Sequence, residues 1–348
     1  MFSTLNAQAL TAATLAALVL LASVFIGSRN LNNFDGALLA YLIGAVFAWF
    51  GIVYRYAVWL QRPPTKRYWR RGFELFFSRR MPAYAMTAAS HAVSELLAFR
   101  FIARRSPRRW FAHAMFGWGC LAAFAITLPL TFGWVHFGLK AGGIDTYESF
   151  VFGFKVFEFP LHTPIAGLIF HALNYCSVMV LVGVGIILRR RLTDAGLIAV
   201  QTFEGDILPL LLLAFIALTG LGLSWDYEFM QGKAHQFMAV THAVSVILFL
   251  LWMPFGKFFH IFQRPAQLGV ALYRRAGDEG EQAVCPHTGE AFTSRMHVDD
   301  LKDVTRELGF DFTKNDGASH LDLSPRGKRA ALALAHLSAR EKDGRFFG

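Results

Sequence analysis

Four histidines lie within or at the ends of long apolar stretches of this chain: His113, His171, His242 and His260. An ionisable side chain is costly to bury among apolar groups, so each of these histidines is a candidate for a functional role. A neutral imidazole can bind a metal ion through one ring nitrogen, and it can also accept and release a proton near neutral pH. The competing explanation for each histidine alone is a hydrogen bond in the core or, for His260, a ring that reaches the edge of the apolar region.

Two of these histidines belong to one apolar segment, THAVSVILFLLWMPFGKFFH, which covers residues 241–260. His242 and His260 are separated by about five helical turns, or about 27 Å of rise. The two rings therefore leave one face of the helix if the helix continues through Pro254 and Gly256.

Basic residues at the ends of the apolar runs indicate the depth of each histidine. His113 follows Arg109 by about 6 Å of helix, and His260 follows Lys257 by about 4.5 Å. These two histidines are expected at one depth, near the basic end of the helices.

The other two histidines are expected at a second depth. His171 precedes Arg189 by about 27 Å of helix, the same rise that separates His242 from His260. Two histidines from different helices at one depth, repeated at a second depth, form the arrangement that two bis-histidine b-type haems require. We therefore predict that His113 and His260 bind the iron of one haem b, and that His171 and His242 bind the other.

The composition predicts the elements that would position these residues. The 348-residue chain is 55% hydrophobic and 17% charged, with 35 phenylalanines, which is outside the range of soluble domains. The sequence therefore predicts an all-α integral membrane protein. Its six apolar runs are long enough to cross a bilayer, and they cover about 9–27, 37–60, 110–136, 164–188, 206–224 and 237–258.

The distribution of charge predicts the orientation. Basic residues concentrate in 61–80, 100–110 and 189–192, whereas 30–36 and 142–150 contain few. The positive-inside rule then places both termini in the cytoplasm, and we expect a multi-pass protein of a bacterial cytoplasmic membrane. Basic and acidic residues are equal in number in the tail, so the net charge of +10 belongs to the membrane half. We interpret that charge as a topology signal and a lipid-headgroup contact, with no nucleic-acid partner.

Several short motifs resemble one family. YLIGAVFAWFGIVYRY (41–56), RRWFAH (108–113), VGVGIILRRRL (182–192), DILPLLLLAFIALTGL (206–221) and THAVSVILFLLWMPFGKFFHIFQRPAQL (241–268) are similar to the helices of the respiratory nitrate reductase gamma subunit. That family comprises membrane dihaem cytochromes b of quinone-linked complexes.

The resemblance implies a residue-by-residue assignment with one departure. It implies that His242 and His260 are haem ligands, and that His113 is the partner of His260. In the family the fourth ligand lies ten residues after the equivalent of His113, but Ala123 occupies that position here. The depth argument supplies His171 instead, and His136 is the second choice.

The resemblance also implies a domain organisation. Residues 1–36 would form an extra span, and 37–263 the five-helix dihaem cytochrome b domain, including a cytoplasmic basic and amphipathic segment at 61–108. The extra span is similar to membrane modules of heterodisulfide-reductase-type iron–sulfur oxidoreductases. The tail, residues 264–348, also resembles the corresponding region of those membrane modules.

The tail resembles a zinc ribbon that has lost its ligands. Cys285 is followed by Pro286, His287 and Thr288 instead of a second cysteine, and 321–332 contains no cysteine. We therefore expect a degenerate cytoplasmic docking module without zinc, although His287, His297 and His320 remain possible partners of Cys285.

These features predict an electron-transfer subunit. It would pass electrons between membrane quinone or quinol and a cytoplasmic iron–sulfur, molybdenum or flavin oxidoreductase subunit, in a direction that the sequence leaves open. Candidate quinone contacts are Lys155, Glu158 and His162, for which solvated loop residues are an equal alternative. The competing functions are a six-span transporter or proton relay that uses the same histidines, and a structural anchor without a cofactor.

Overall fold

The computed structural model describes residues 6–313 and 319–343, the last three without their side chains. The protein is mostly helical, at 72%. Within these residues, six helices are long and apolar enough to cross a membrane, which is consistent with a multi-pass membrane protein. They are α1 (Ala7–Gly27), α2 (Leu39–Leu60), α6 (Pro107–Thr131), α8 (Ala172–Thr193), α10 (Leu208–Phe229) and α11 (His235–Trp252).

The remaining helices are shorter or more polar. They are α3 (Pro63–Phe76), α4 (Met81–His91), α5 (Arg100–Ala103), α7 (Pro164–Phe170), α9 (Ala195–Ile198), α12 (His260–Gln263), α13 (Gln267–Glu279), α14 (Arg295–Glu307) and α15 (Pro325–Asp343). Two of the predicted spans are interrupted. The run predicted at 164–188 is divided between α7 and α8 at His171, and the run predicted to reach 258 ends its long helix at Trp252.

The prediction of a helical protein with six long apolar helices is confirmed, but the protein is not all-α, because the described residues include two small antiparallel sheets. Strands β1 (Val135–Leu139), β2 (Thr146–Val151) and β3 (Phe154–Pro160) form a meander, and β4 (Gln282–Val284) pairs with β5 (Ala291–Ser294). Aromatic and β-branched residues favour strands in the meander. The turn between β2 and β3 has positive φ at both Phe152 and Gly153, as a two-residue type I′ hairpin requires.

The apolar helices form one compact unit, residues 1–58 with 94–263. Helix α8 packs against α6 and α10, and α10 packs against α11. Glycines allow α6 and α8 to approach closely, because a Cβ at Gly183 would lie 2.6 Å from the backbone nitrogen of Phe116. Close approach at small residues is a common way for helices to associate in an apolar environment.

The meander packs against the end of α1 in the same unit. The Trp134 indole N–H donates to the Ser23 carbonyl oxygen at 3.1 Å. The Arg29 Nε donates to the Phe152 carbonyl oxygen at 3.3 Å, and the Arg29 guanidinium lies 4.8 Å from the centre of the Phe154 ring. We call the end of the bundle that carries this meander the sheet end, and the opposite end the basic end.

A second compact unit combines residues 59–93 with the tail from 264. Helix α13 packs against α3 and α4, and α14 also packs against α3. This division differs from the predicted one, which grouped the whole segment 61–108 with the membrane domain. The reason is the amphipathic pattern of α3, whose inner face is buried by the tail.

A buried carboxylate holds α3 to the tail. The Asp300 side chain is 5% exposed and lies 3.1 Å from the Arg71 guanidinium and 3.6 Å from that of Arg67. The Tyr273 hydroxyl donates to the same carboxylate at 3.0 Å. The hydrogen bond to Asp300 raises the pKa of Arg71, whereas burial and then Asp300 raise the pKa of Tyr273.

We expect Asp300→Asn to destabilise this unit, because Arg67 and Arg71 would both lose their pairing with this buried carboxylate, although Arg71 keeps Glu74. The arginines are partly exposed, so we expect a loss of about 1 to 3 kcal/mol rather than the larger cost of a fully buried pair. Hydrogen exchange of 295–307 in the full chain measures it. The matched control is Asp303→Asn, whose carboxylate is 42% exposed and should matter by less than about 1 kcal/mol; equal effects of the two variants would contradict the account.

Candidate functional site

His242 lies inside α11 with its imidazole oriented by a threonine of α10. The Thr219 hydroxyl donates to the Phe215 carbonyl oxygen at 2.8 Å, and its oxygen lies 3.0 Å from His242 Nδ1. When the hydroxyl hydrogen is on the Phe215 carbonyl, the Thr219 oxygen is an acceptor to which His242 Nδ1–H can donate. The lone pair is then on Nε2, which is the state of a histidine prepared to bind a metal ion.

A glycine makes room beside the His242 ring. A Cβ at Gly220 would lie 3.3 Å from His242 Cε1 and 3.9 Å from the Ser177 hydroxyl of α8. The histidine ring is therefore flanked by small and polar groups of two neighbouring helices rather than by bulky side chains.

His171 lies at the junction of α7 and α8 and begins a second polar chain. Asn174 Nδ2 lies 3.1 Å from His171 Nδ1, and the Ser224 hydroxyl donates to Asn174 Oδ1 at 2.9 Å. Since Ser224 donates to the amide oxygen, the amide nitrogen donates to Nδ1, and the His171 proton is on Nε2. For Nε2 to bind a metal ion, the Asn174 amide must turn over so that its oxygen accepts from Nδ1–H.

The two histidines of the predicted outer pair are offset along the helices. His242 and Ser177 flank the same glycine, and His171 lies about 9 Å further along the axis of α8 than Ser177. The depth argument expected His171 and His242 at one level, but it treated 164–188 as a single straight helix.

His113 shares its face of α6 with residues that reach the core. Cys120 and Phe124 lie about two and three turns further along, within about 20° of the His113 direction. The Phe124 ring is 6.0 Å from that of Phe249, which in turn lies about two turns from His242 on α11. The faces of α6 and α11 that carry His113 and His242 therefore meet in the bundle.

A strained loop residue covers His113. Phe99 has a φ of +50°, which is unusual for a residue with a bulky side chain. Its ring lies edge-on to the imidazole of His113, with centres 4.8 Å apart. The indole groups of Trp110 and Trp118 donate to the two carbonyl oxygens before Phe99, so this loop is held against α6.

His260 does not share a helix with His242. Helix α11 ends at Trp252, and His260 begins α12 after a turn and a short 3₁₀ segment. The expectation of one continuous face is therefore wrong. The His260 ring is exposed, and its Nδ1–H donates to the Lys257 carbonyl oxygen at 2.5 Å, so Nε2 again has the lone pair.

The end of α11 is held by an arginine of α2. The Arg55 Nη1 donates to the carbonyl oxygens of Pro254 at 2.6 Å and Gly256 at 3.3 Å. The guanidinium also lies 4.3 Å from the centre of the Phe259 ring. Both carbonyls belong to the turn after α11, so this cation ties that turn to α2.

An ion cluster holds the next segment. The Asp206 carboxylate lies 2.6 Å from Lys257 Nζ and 3.0 Å from Arg191 Nη1. Asp206, which lies just before α10, thereby connects the end of α8 to Lys257. Lys257 is three residues before His260. The backbone that carries His260 is thus fixed from two sides.

We expect Arg55→Gln to loosen the segment from Pro254 to His260, because the carbonyls of Pro254 and Gly256 lose the Arg55 donor. The expected loss is about 1 to 3 kcal/mol of local stability. Hydrogen exchange of 253–263 measures it, with Arg62→Gln, an exposed arginine after α2, as the control. Unchanged exchange in Arg55→Gln would contradict this role.

The predicted quinone contacts lie on the meander. Lys155 and Glu158 of β3 are ion-paired at 2.7 Å, and Lys155 also pairs with Glu148 at 2.5 Å and Glu158 with Lys140 at 3.3 Å. Hydrogen bonds with Glu148 and then Glu158 raise the pKa of Lys155, and those with Lys155 and then Lys140 lower the pKa of Glu158. The structure brings these two residues together, whereas His162 is exposed in the turn after β3.

His136, the second choice for a ligand, lies on β1. Its ring stacks on that of Phe150 with centres 4.8 Å apart. Burial and then the nearby Arg29 lower the pKa of His136, and its Nδ1 is buried without a hydrogen-bond partner among the described residues.

A buried carboxylate at the sheet end was missed from the sequence. Asp226 of α10 is 1% exposed, and its Oδ1 accepts from the Ala234 backbone N–H at 2.8 Å. It shares a face of α10 with Thr219, about two turns away. The sequence signal that could have identified Asp226 is an acidic residue close to the end of an apolar run.

The tail brings together the four positions at which a zinc ribbon would have its ligands. Cys285 and Thr288 lie in the loop between β4 and β5, and the Thr288 hydroxyl is 3.5 Å from that of Ser324. A Cβ at Gly327 would lie 2.5 Å from Cys285 Sγ. One thiol, two hydroxyls and a glycine are not a zinc donor set, so these residues do not fit the metal.

Hydrogen bonds surround the buried thiol instead. Burial raises the pKa of Cys285, but hydrogen bonds from the Thr288 and Ser324 hydroxyls and from backbone N–H groups outweigh it and lower the pKa to about 6. The Ser324 hydroxyl also contacts the Glu290 carboxylate, and its single hydrogen serves one of the two acceptors at a time, so the same loop is held at a second point.

We expect Gly327→Ala to destabilise the tail, although alanine is the better helix former. The new methyl group would overlap Cys285 Sγ and cost about 1 to 3 kcal/mol. In a Cys285→Ala background the overlap disappears, so the same change should become neutral or stabilising. Hydrogen exchange of 282–327 gives the double-mutant cycle, and equal effects in both backgrounds would contradict the contact.

The functional residues that sequence reasoning missed are the polar partners of the histidines. Thr219, Asn174 and Ser224 are polar residues within apolar runs, which was the available signal, whereas nothing local identified Arg55 or Phe99. No cluster of three or more His, Cys, Asp or Glu side chains suited to a metal ion occurs within the described ranges. No protein-family model, curated protein or solved structure matches this chain.

Proposed function

We propose that this chain is a membrane cytochrome b subunit that passes electrons between membrane quinone and a soluble redox partner. The observation that carries the proposal is the geometry of His242. Its Nδ1–H donates to Thr219, which already donates to a backbone carbonyl, so Nε2 is prepared as a ligand inside an apolar bundle.

The histidines fit a haem to different degrees. His242 and His260 each donate through Nδ1 and keep Nε2 for iron. His113 lies on the face of α6 that meets the His242 face of α11. We propose His113 with His260 for the haem near the basic end, and His171 with His242 for the haem near the sheet end, which requires the Asn174 amide to reverse and the junction of α7 and α8 to move so that the offset of about 9 Å closes.

Bound haem would supply reversible one-electron chemistry. The residues of this chain would hold and shield that centre. Thr219 fixes the ring orientation of His242, and Arg55 fixes the turn that carries His260. The Phe124 and Phe249 rings, 6.0 Å apart, would lie between the two haem levels.

Quinone would react at the sheet end. Of the predicted contacts, His162 is exposed, whereas Lys155 and Glu158 would first have to give up their mutual ion pair. Electrons would leave at the basic end toward an iron–sulfur, molybdenum or flavin subunit, or move in the opposite direction to reduce quinone.

A proton relay is the second candidate function. The observation that favours it is the polar chain from His171 through Asn174 to Ser224. Haem content of the purified protein separates the two functions, because a relay needs none.

We expect His242→Ala and His171→Ala each to remove about half of the bound haem, since each would lose one of two irons. Thr219→Val should retain haem but shift its reduction potential, because the ligand loses its hydrogen bond. The control is Thr241→Val, which removes another helix threonine bonded to the preceding turn. Full haem content in His242→Ala would contradict its role as a ligand.

A further inference from the structure

Helix α3 has a second face that the tail does not cover. Its inner face contacts α13 and α14. The Tyr68 ring is 4.9 Å from that of Tyr273, and a Cβ at Gly72 would lie 2.9 Å from Gly269 Cα. These contacts orient the helix, so the opposite face points away from the tail.

That opposite face carries an aromatic row, Trp69, Phe73 and Phe77. The rings of Trp69 and Phe73 have centres 5.1 Å apart, and those of Phe73 and Phe77 are 6.2 Å apart. Phe73 is 48% exposed and Phe77 is 72% exposed. The three residues follow the helical repeat, so they form one continuous apolar stripe.

Positive charge borders the aromatic row. Lys66 and Arg70 are exposed one turn apart on the adjoining side of α3, and Arg79 is exposed after the helix, whereas Arg80 pairs with Glu279 of α13. The one acidic side chain of α3, Glu74, is occupied by ion pairs with arginines. Aromatic rings beside lysines and arginines are the composition of helices that lie in the headgroup layer of a membrane.

The short connection between α2 and α3 places the start of α3 close to the end of a candidate membrane span. Helix α2 is one of the six helices that are long and apolar enough to span, and it ends at Leu60. Helix α3 begins at Pro63, and the two intervening residues can reach only about 7 to 10 Å. If α2 spans the bilayer, the first turn of α3 starts within the headgroup layer.

We infer that the aromatic row of α3 inserts into the headgroup layer beside anionic lipid, and that α3 thereby holds the tail unit at the membrane surface. The row supplies apolar insertion, and Lys66 and Arg70 supply attraction to lipid phosphates. This inference does not depend on haem binding. A soluble protein partner on the same face is the alternative occupant, and the test below distinguishes the two.

The test uses the full chain in vesicles of phosphatidylcholine with phosphatidylglycerol. Nitroxide labels replace Phe73 or Phe77 in a background without the three native cysteines, and a label at exposed Glu307 of α14 is the matched control in the same unit. Collisions with oxygen, which concentrates in lipid, are compared with collisions with a water-soluble nickel chelate.

We expect the oxygen preference at Phe73 and Phe77 to exceed that at Glu307 several-fold, and to fall when phosphatidylcholine replaces all phosphatidylglycerol. Nickel access at both positions equal to that at Glu307 would overturn insertion and leave the face open to a soluble partner. If the oxygen preference does not depend on lipid charge, the claim that Lys66 and Arg70 attract anionic lipid is overturned. Two label positions keep the test decisive if one variant fails to fold.

Discussion

A polar group inside an apolar helix bundle must find its partner within the protein, because no water is available to replace it. This constraint explains most of the contacts that matter here. His242 is oriented because its N–H needs an acceptor, and Thr219 provides one while using its own hydrogen on a carbonyl. The same need pairs His171 with Asn174, and brings Arg55 to the carbonyls at the end of α11.

The sequence predicted the six long helices because unbroken apolar composition over about 20 residues has few other outcomes. It did not predict the meander, whose strands are short and depend on pairing between residues distant in the chain. It also expected one helix to carry both His242 and His260. Pro254 lacks the N–H that would continue the helix, and the carbonyls of the turn that follows bind Arg55, which is almost 200 residues away in sequence.

The candidate site was predictable in its residue types but not in its geometry. Histidines in apolar runs are visible in a sequence, whereas the contact that orients His242 comes from another helix and those of His171 and His260 depend on the local bends that place Asn174 and Lys257 beside them. Depth counting from arginines assumes straight helices, and the division at His171 breaks that assumption. In the tail, the sequence shows that Cys285 and Thr288 have the spacing of a zinc-ribbon ligand pair. Only the folded structure shows that Ser324 and Gly327 lie beside them.

These contacts orient the rings of His171, His242 and His260, and the central claim is that haem b binds these histidines and His113. The most direct measurement is the reduced-minus-oxidised visible spectrum of the purified full chain, with haem quantified per polypeptide. The account predicts the Soret and α bands of a bis-histidine b-type cytochrome and two haems per chain. A spectrum without these bands in protein purified from haem-replete cells would contradict it.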